Sequence, residues 1–260
     1  SIFSKTLDYM DALSIGMERR AKKAPFYLKP IVFEEAKRLR NYELEMFKYF
    51  EKKVIISEAD RKHLAHSNST EIEIIPNGID TNFFQSNNGE KVTDILFTGN
   101  MSYLPNVESA QYLVKNILPR LSKDITIKIC GKSPSYKVKS LAGKRVEVTG
   151  WVEDIRVAYD QSKIFVAPLM LGSGLQNKLL EAMAMGIPCI TTPLANNALG
   201  AKPEAEILVA RNEQEFKVQI DRLMSDDGLY QKLAEKGLEF VKKNYDWKAC
   251  NQALIGIIER

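Results

Sequence analysis

The chain has 260 residues, 45% of them hydrophobic and 27% charged. That is the balance of a globular protein with one large or two ordinary domains, and it excludes a disordered or fibrous chain. The net charge of +4 sits in residues 1–53, where 12 Lys/Arg face 8 Asp/Glu, while the remainder is balanced at 25 of each. This is no dense basic stripe, so nucleic acid is not an expected partner.

The basic N-terminal segment reads as a solvated helix face, with peripheral contact to an anionic membrane surface as the alternative. Residues 5–11 read as a strand end. A helix is predicted over about 31–50, where Leu39, Tyr42, Met46, Phe47 and Phe50 recur at helical spacing and Pro30 suits the first turn. Residues 54–56 form a short strand, and Ser57 caps the helix that Glu58 begins. Another strand, 72–75, stops at Pro76-Asn77-Gly78. Residues 81–93 are polar and turn-rich, a linker. Strands follow at 95–98, 125–130, 146–149, 164–167, 187–191 and 207–209. Helices alternate with them near 107–118, 154–161, 175–185, 213–224 and 228–243, and a last one covers 247–258. Such alternation predicts an α/β fold, a doubly wound parallel sheet with ligands bound beyond the carboxyl ends of its strands.

Three cysteines, Cys130, Cys189 and Cys250, form no CxxC and predict neither a disulfide framework nor a zinc site. A reducing, cytoplasmic setting fits them. His63 and His66 read as exposed helix residues. No apolar run approaches the ~18 residues of a membrane span. The chain opens on Ser1 without a signal peptide, and further residues upstream are expected.

The informative stretch is 167–188. A strand ending near Ala167 leads into a loop with Gly172 and Gly174, then a helix closed by Gly186. Glycines before a helix let backbone N–H groups approach a ligand. The helix start carries unsatisfied donors and about half a positive charge, an anion site best suited to phosphate. Lys178 adds a cation one turn in. The pattern is neither GxGxxG nor a P-loop, and a tight loop would also explain the two glycines. Glu181 sits in Leu179-Leu180-Glu181-Ala182-Met183-Ala184, a run apolar enough to be buried. A buried carboxylate needs a partner. A plain Lys178–Glu181 pair is one, although base before acid is the weaker helical order. A ribose diol is the other, and phosphate cation plus diol-binding acid make a nucleotide site.

PNGID (76–80), ILFTGNM (95–101), Gly131, GWVEDI (150–155) and GSGLQNKLLEAMAMGIPCITT (172–192) together resemble the C-terminal half of retaining glycosyltransferases of the GT-B fold (glycosyl transferases group 1), nearest to bacterial sugar transferases of polysaccharide assembly. The resemblance implies a Rossmann-like C-terminal domain at 94–246 that binds the nucleotide-sugar. Before it, residues 1–80 would be an incomplete Rossmann-like acceptor domain, and 247–260 a helix crossing back to it. Glu181 matches the second acid of the family's E-x7-E pattern, which binds ribose; the first acid is replaced by Ser173. Residues Gly172, Ser173, Gly174 and Leu175 would offer donors to sugar and phosphate, with Gln176 and Asn177 beside them. Many relatives carry an Arg after the first strand. Gly99-Asn100-Met101 lacks it, which leaves Lys178 as the cation for the diphosphate. Trp151 and Val152 match the place beside the base, and Gly131 a loop near the nucleotide. Asp8 and Asp11 match the position near the reacting centre, with capping or a surface turn as their plain alternative.

The implied activity is hexose transfer from a UDP- or GDP-type sugar to a hydroxyl acceptor, with retention, in cell-surface polysaccharide or glycoconjugate biosynthesis. A lipid-linked acceptor would give the basic N-terminal segment a purpose and place the protein at the inner face of the plasma membrane. No cofactor and no metal are implied. The alternatives are a noncatalytic nucleotide-sugar-binding module and a nucleotide-sugar epimerase of the same architecture.

Overall fold

The computed structural model describes residues 5–64, 68–171 and 174–259. They build two parallel sheets. The smaller contains β1 (Thr6–Asp8), β2 (Lys52–Ile55) and β3 (Glu73–Ile74), in that order. Between β1 and β2 the chain forms a hairpin of α1 (Leu13–Lys23) and α2 (Lys29–Met46), followed by a 3-10 turn at Phe47–Tyr49. The predicted helix over 31–50 is α2 plus this turn, with Pro30 in its first turn.

Helix α1 was not expected. Leu13, Ile15 and Met17 alternate instead of following a helical period, and Ala12 has no capping side chain. Its cap comes from distant carboxylates. The Ser14 N–H and hydroxyl donate to Glu43 at 3.0 and 2.6 Å, and the Ala12 N–H reaches Asp60 at 3.5 Å. Negative groups at a helix start complement its dipole. Glu43 lies on α2, and Asp60 on α3 (Glu58–His63), where Ser57 accepts from the Asp60 N–H at 3.0 Å, the cap read from the sequence.

The larger sheet holds β4 (Thr93–Thr98), β5 (Ile127–Cys130), β6 (Val146–Gly150), β7 (Ser162–Ala167), β8 (Cys189–Thr191) and β9 (Leu208–Val209). Its order is β6-β5-β4-β7-β8-β9, all parallel. The chain starts at the centre, winds outward, then crosses back to wind the other way. This is the Rossmann strand order, and its switch point lies between β4 and β7. Ile95, Leu96, Phe97, Ile164, Phe165 and Val166 on these two strands are wholly buried. Strands covered on both faces need such unbroken apolar runs.

The helices around this sheet are α4 (Leu104–Tyr112), α5 (Tyr136–Lys139), α6 (Ile155–Asp160), α7 (Asn177–Ala184), α8 (Pro193–Leu199), α9 (Glu213–Ser225), α10 (Asp227–Asn244) and α11 (Trp247–Ile258). Short α5 and α8 were not predicted. The polar segment before β4 is pinned to the end of α6: the Ser86 hydroxyl and Asn87 N–H donate to the Asp160 carboxylate at 2.5 and 2.9 Å, and Lys91 donates to the Asp160 carbonyl at 2.8 Å. Helix α11 reaches the smaller sheet, where Lys52 on β2 donates to the Ile258 carbonyl at 2.7 Å. All three cysteines are buried free thiols. Among the described residues no helix is long and apolar enough to cross a membrane, and no group of three or more His, Cys, Asp or Glu could hold a metal ion.

Candidate active site

The carboxyl ends of β4, β5 and β6 are stitched together by backbone. Gly99 N–H donates to Cys130 O at 3.1 Å, Gly131 N–H to Gly150 O at 2.9 Å, and Met101 N–H to Lys132 O at 2.9 Å. Gly131 has φ +147°, and a β-carbon there would overlap the Gly99 carbonyl. Only glycine allows two loops to touch this closely. Above them opens a cavity of about 480 Å³ at the switch point. Gly99, Gly131, Trp151, Val152, Leu175, Gln176, Asn177, Lys178 and Glu181 all line it, so nine of the expected residues meet in one place. Trp151 stands 72% exposed at the rim, a free aromatic face and not core packing. Gly172 and Ser173 lie outside the described residues, as does His66.

Helix α7 begins at Asn177, two residues later than predicted, with Gln176 before it. Its buried residues Leu179, Leu180, Ala182, Met183 and Ala184 anchor it under the sheet's end. The Leu179 N–H donates to the Gln176 carbonyl at 2.9 Å, while the N–H groups of Asn177 and Lys178, at the first two helical positions, have no acceptor within the helix. Lys178 does not form the plain pair with Glu181. Its Nζ donates to Asn106 Oδ1 and lies 5.0 Å from the Phe97 ring centroid. Burial pushes its pKa down to about 8, against the pull of Glu181.

Glu181 is half-buried, and burial raises its pKa against the Tyr159 hydroxyl and Lys178, which favour the charged form. Its Oε2 accepts from the Tyr159 hydroxyl at 2.8 Å, and that hydroxyl lies 2.9 Å from Thr98 Oγ1. The acid therefore has one oxygen fixed from α6, while its side chain lines the cavity. Sequence reasoning missed Tyr159 and Asn106, which hold the acid and the cation. Both lie on other helices, and neither belongs to a motif around 172–192.

Asp11, which follows β1 of the smaller sheet, lies against Gly174. Gly174 has φ +77°, and a β-carbon there would overlap the Asp11 carboxylate, so the acid rests against bare backbone. Among the described residues, Asp11 Oδ1 is buried and has no hydrogen-bond partner. Burial first, then Asp60 and Asp8, pushes its pKa up to about 6. Asp8 is exposed and shapes a turn, accepting from the Met10 N–H at 2.8 Å. A second cavity of about 380 Å³ lies between α1, α3 and this loop, lined by Arg19, Asp60, His63, Leu169, Gly174 and Gln176 among others. Gln176 lines both cavities, so they adjoin.

A family model described as Glycosyl transferases group 1 matches residues 92–226, more than half of the chain. The chain is 26% identical over 204 residues to a UDP-Gal:alpha-D-GlcNAc-diphosphoundecaprenol alpha-1,3-galactosyltransferase of Escherichia coli, covering 69% of this chain and 50% of that one. It is 22% identical over 167 residues to an uncharacterized 44.6 kDa protein in the cps region of Klebsiella pneumoniae, covering 60% of this chain and 43% of that one. The chain thus spans about half the length of these curated relatives. Among solved structures, Anabaena Alr3699/HepE in complex with UDP and glucose superposes with a TM-score of 0.75 at 15% identity, covering 98% of this chain and 71% of that one.

Proposed function

The chain belongs to the Glycosyl transferases group 1 family, and on that premise we propose that it moves a hexose from a UDP- or GDP-type sugar to a hydroxyl acceptor, with retention at the anomeric carbon. The setting would be cell-surface polysaccharide or glycoconjugate assembly, as the name of the Escherichia coli relative suggests. The observation that carries the reading is the meeting of the α7 start, Lys178 and Glu181 in one cavity at the switch point. Donors and a cation suit a diphosphate, an acid one turn further suits a ribose diol, and the exposed Trp151 ring suits a base.

The chemistry follows from this placement. As the bond from sugar to diphosphate breaks, negative charge grows on the leaving oxygen. Fixed N–H donors and Lys178 stabilise that charge more in the transition state than in the bound donor, which is what lowers the barrier. The sugar would lie over the β7–α7 loop, toward Gly174. There Asp11 meets it from the smaller sheet's side. With a pKa of about 6 this carboxyl is mostly ionised at neutral pH and close enough to it to accept a hydroxyl proton. The acceptor would enter through the second cavity, beside Arg19 and His63.

Calorimetry with UDP, GDP and ADP tests the donor site, and an assay with UDP- and GDP-sugars tests transfer. The expected result is binding of one diphosphate and release of that diphosphate from its sugar, with an α-linked product from an α-linked donor. Absence of binding by all three nucleotides ends the reading.

Lys178 predicts a pH dependence. Only the charged ammonium attracts the diphosphate, and its pKa of about 8 means it is largely charged at pH 7 and neutral at pH 9. Affinity should fall about tenfold between those values, because binding scales with the protonated fraction. At pH 8 binding should also take up about half a proton, so its heat should vary with the ionisation heat of the buffer. Lys178→Met should bind weakly and show neither effect. A wild-type affinity flat from pH 7 to 9 would remove Lys178 from the diphosphate.

A further inference from the structure

The turn between α1 and α2 presents apolar side chains that the core does not take. Phe26 is 85% exposed, Ile31 67% and Tyr27 64%, and Leu28 and Phe33 are also exposed. The Phe26 and Tyr27 rings pack edge to face with centroids 5.5 Å apart, forming one block. What the fold buries from the two helices is small or polar: Ser14 and Ala21 of α1, Ala36 and Glu43 of α2. The aromatic turn is therefore left over from folding, and it is contiguous.

Its surroundings are cationic. Residues 19–40 contain eight Lys/Arg and two Glu, whereas the rest of the chain contains 29 Lys/Arg and 31 Asp/Glu. The whole hairpin, residues 13–46, also carries Glu18, Glu43 and Glu45 and still holds a net +3 of the protein's +4. Lys22, Lys29 and Lys37 are exposed around the turn, and Lys23 pairs with Glu108 of α4 at 3.6 Å. Aromatic and aliphatic side chains flanked by Lys and Arg are the composition of a segment that settles into the headgroup layer of an anionic bilayer.

The position of α1 gives the patch a use. The helix runs from Asp11 and Gly174 to the turn, about 16 Å along its axis. Its flank forms an apolar cavity of about 310 Å³, with Leu13 and Met17 facing Tyr103, Leu104 and Leu171. One end of a cleft-lining helix is at the reacting centre, and the other carries the patch. We propose that the α1–α2 turn docks on an anionic lipid bilayer through Phe26, Tyr27 and Ile31, ringed by Lys22, Lys29 and Lys37. This deepens the acceptor reading above by making the hydroxyl acceptor lipid-linked, and it rests on that reading for the reacting centre at Asp11.

Flotation of the 260-residue chain with vesicles tests this, using phosphatidylcholine alone and phosphatidylcholine mixed with phosphatidylglycerol. The wild type should float with the anionic vesicles and not with the neutral ones. A triple variant, Phe26→Ser with Tyr27→Ser and Ile31→Ser, should lose at least about tenfold in partitioning, as should Lys22→Glu with Lys29→Glu. All five positions are exposed, so both variants should keep the wild-type UDP affinity and melting temperature. Failure of the wild type to float with anionic vesicles overturns the proposal, and so does unchanged partitioning of the triple variant. A concentration-dependent dimer that the triple variant abolishes, with no flotation, would give the patch to a second copy of the chain and likewise overturn it. Calorimetry with UDP separates the two readings: a chain that floats but binds no nucleotide refutes the donor site and leaves the docking surface standing.

Discussion

Replacing Glu181 by Ala should weaken UDP or GDP binding by about ten- to a hundredfold, and should do so only for nucleotides that carry a ribose diol. A hydrogen bond to a charged group contributes about 1.5–3 kcal/mol, and about 1.4 kcal/mol is a factor of ten in affinity. The wild type should therefore discriminate against a 2′,3′-dideoxy nucleotide by a similar factor. The variant should bind the two nucleotides equally, which isolates the contact between carboxylate and diol as a pairwise coupling. The variant should also fold. Tyr159 loses Glu181 as an acceptor but keeps Thr98 at 2.9 Å, so its buried hydroxyl is not orphaned. Glu181→Gln makes a useful companion, since it keeps the shape and an acceptor oxygen while removing the charge; its affinity should fall between the other two. Equal discrimination by wild type and Glu181→Ala would show that Tyr159 alone employs the acid, and the ribose role would be gone.

The parts of this site that could be read from the sequence are those whose cause is local. The strands showed as apolar runs because both faces of the sheet are covered. The start of α7 showed because glycines precede an apolar helix, and Glu181 showed because a charge in such a helix needs a reason. What could not be read depends on contacts between distant segments. Tyr159 fixes Glu181 from 22 residues upstream and Asn106 fixes Lys178 from 72 upstream, and nothing in local spacing announces either. Helix α1 escaped for the same cause, since its cap is Glu43, 29 residues away. Helix α8 is a different case, because its signals are local. Thr192 accepts from the Ala195 N–H at 3.3 Å, Pro193 follows, and Gly200 closes the helix at φ +74°. Its seven residues are too few to show a hydrophobic period, and the capping residues alone carried the information.

Asp11→Asn should stabilise the protein at neutral pH while abolishing most of its activity. The folded chain holds this carboxyl at a pKa of about 6, above the ordinary 3.8, so folding favours the protonated acid. That contribution is complete below about pH 4 and is lost as pH rises through about 6. The neutral Asn side chain has no such loss. The variant should therefore melt a few degrees higher than wild type at pH 7–8, with the difference gone by pH 4. The gain stays modest because solvent screens the exposed part of the group. Transfer should meanwhile fall by about 10²–10⁴-fold, the range for removing a general base, while UDP affinity stays unchanged because Asp11 does not line the cavity of Lys178 and Glu181. The two expected effects share one cause: an acid held against bare backbone, with one oxygen unsatisfied among the described residues, would cost the fold stability and, on the proposed reading, accept a hydroxyl from the substrate. A variant that gains stability and keeps its transfer rate would leave Asp11 as strain without a catalytic purpose. A variant that loses transfer without gaining stability would mean that the Asp11 carboxylate is already satisfied in the folded chain.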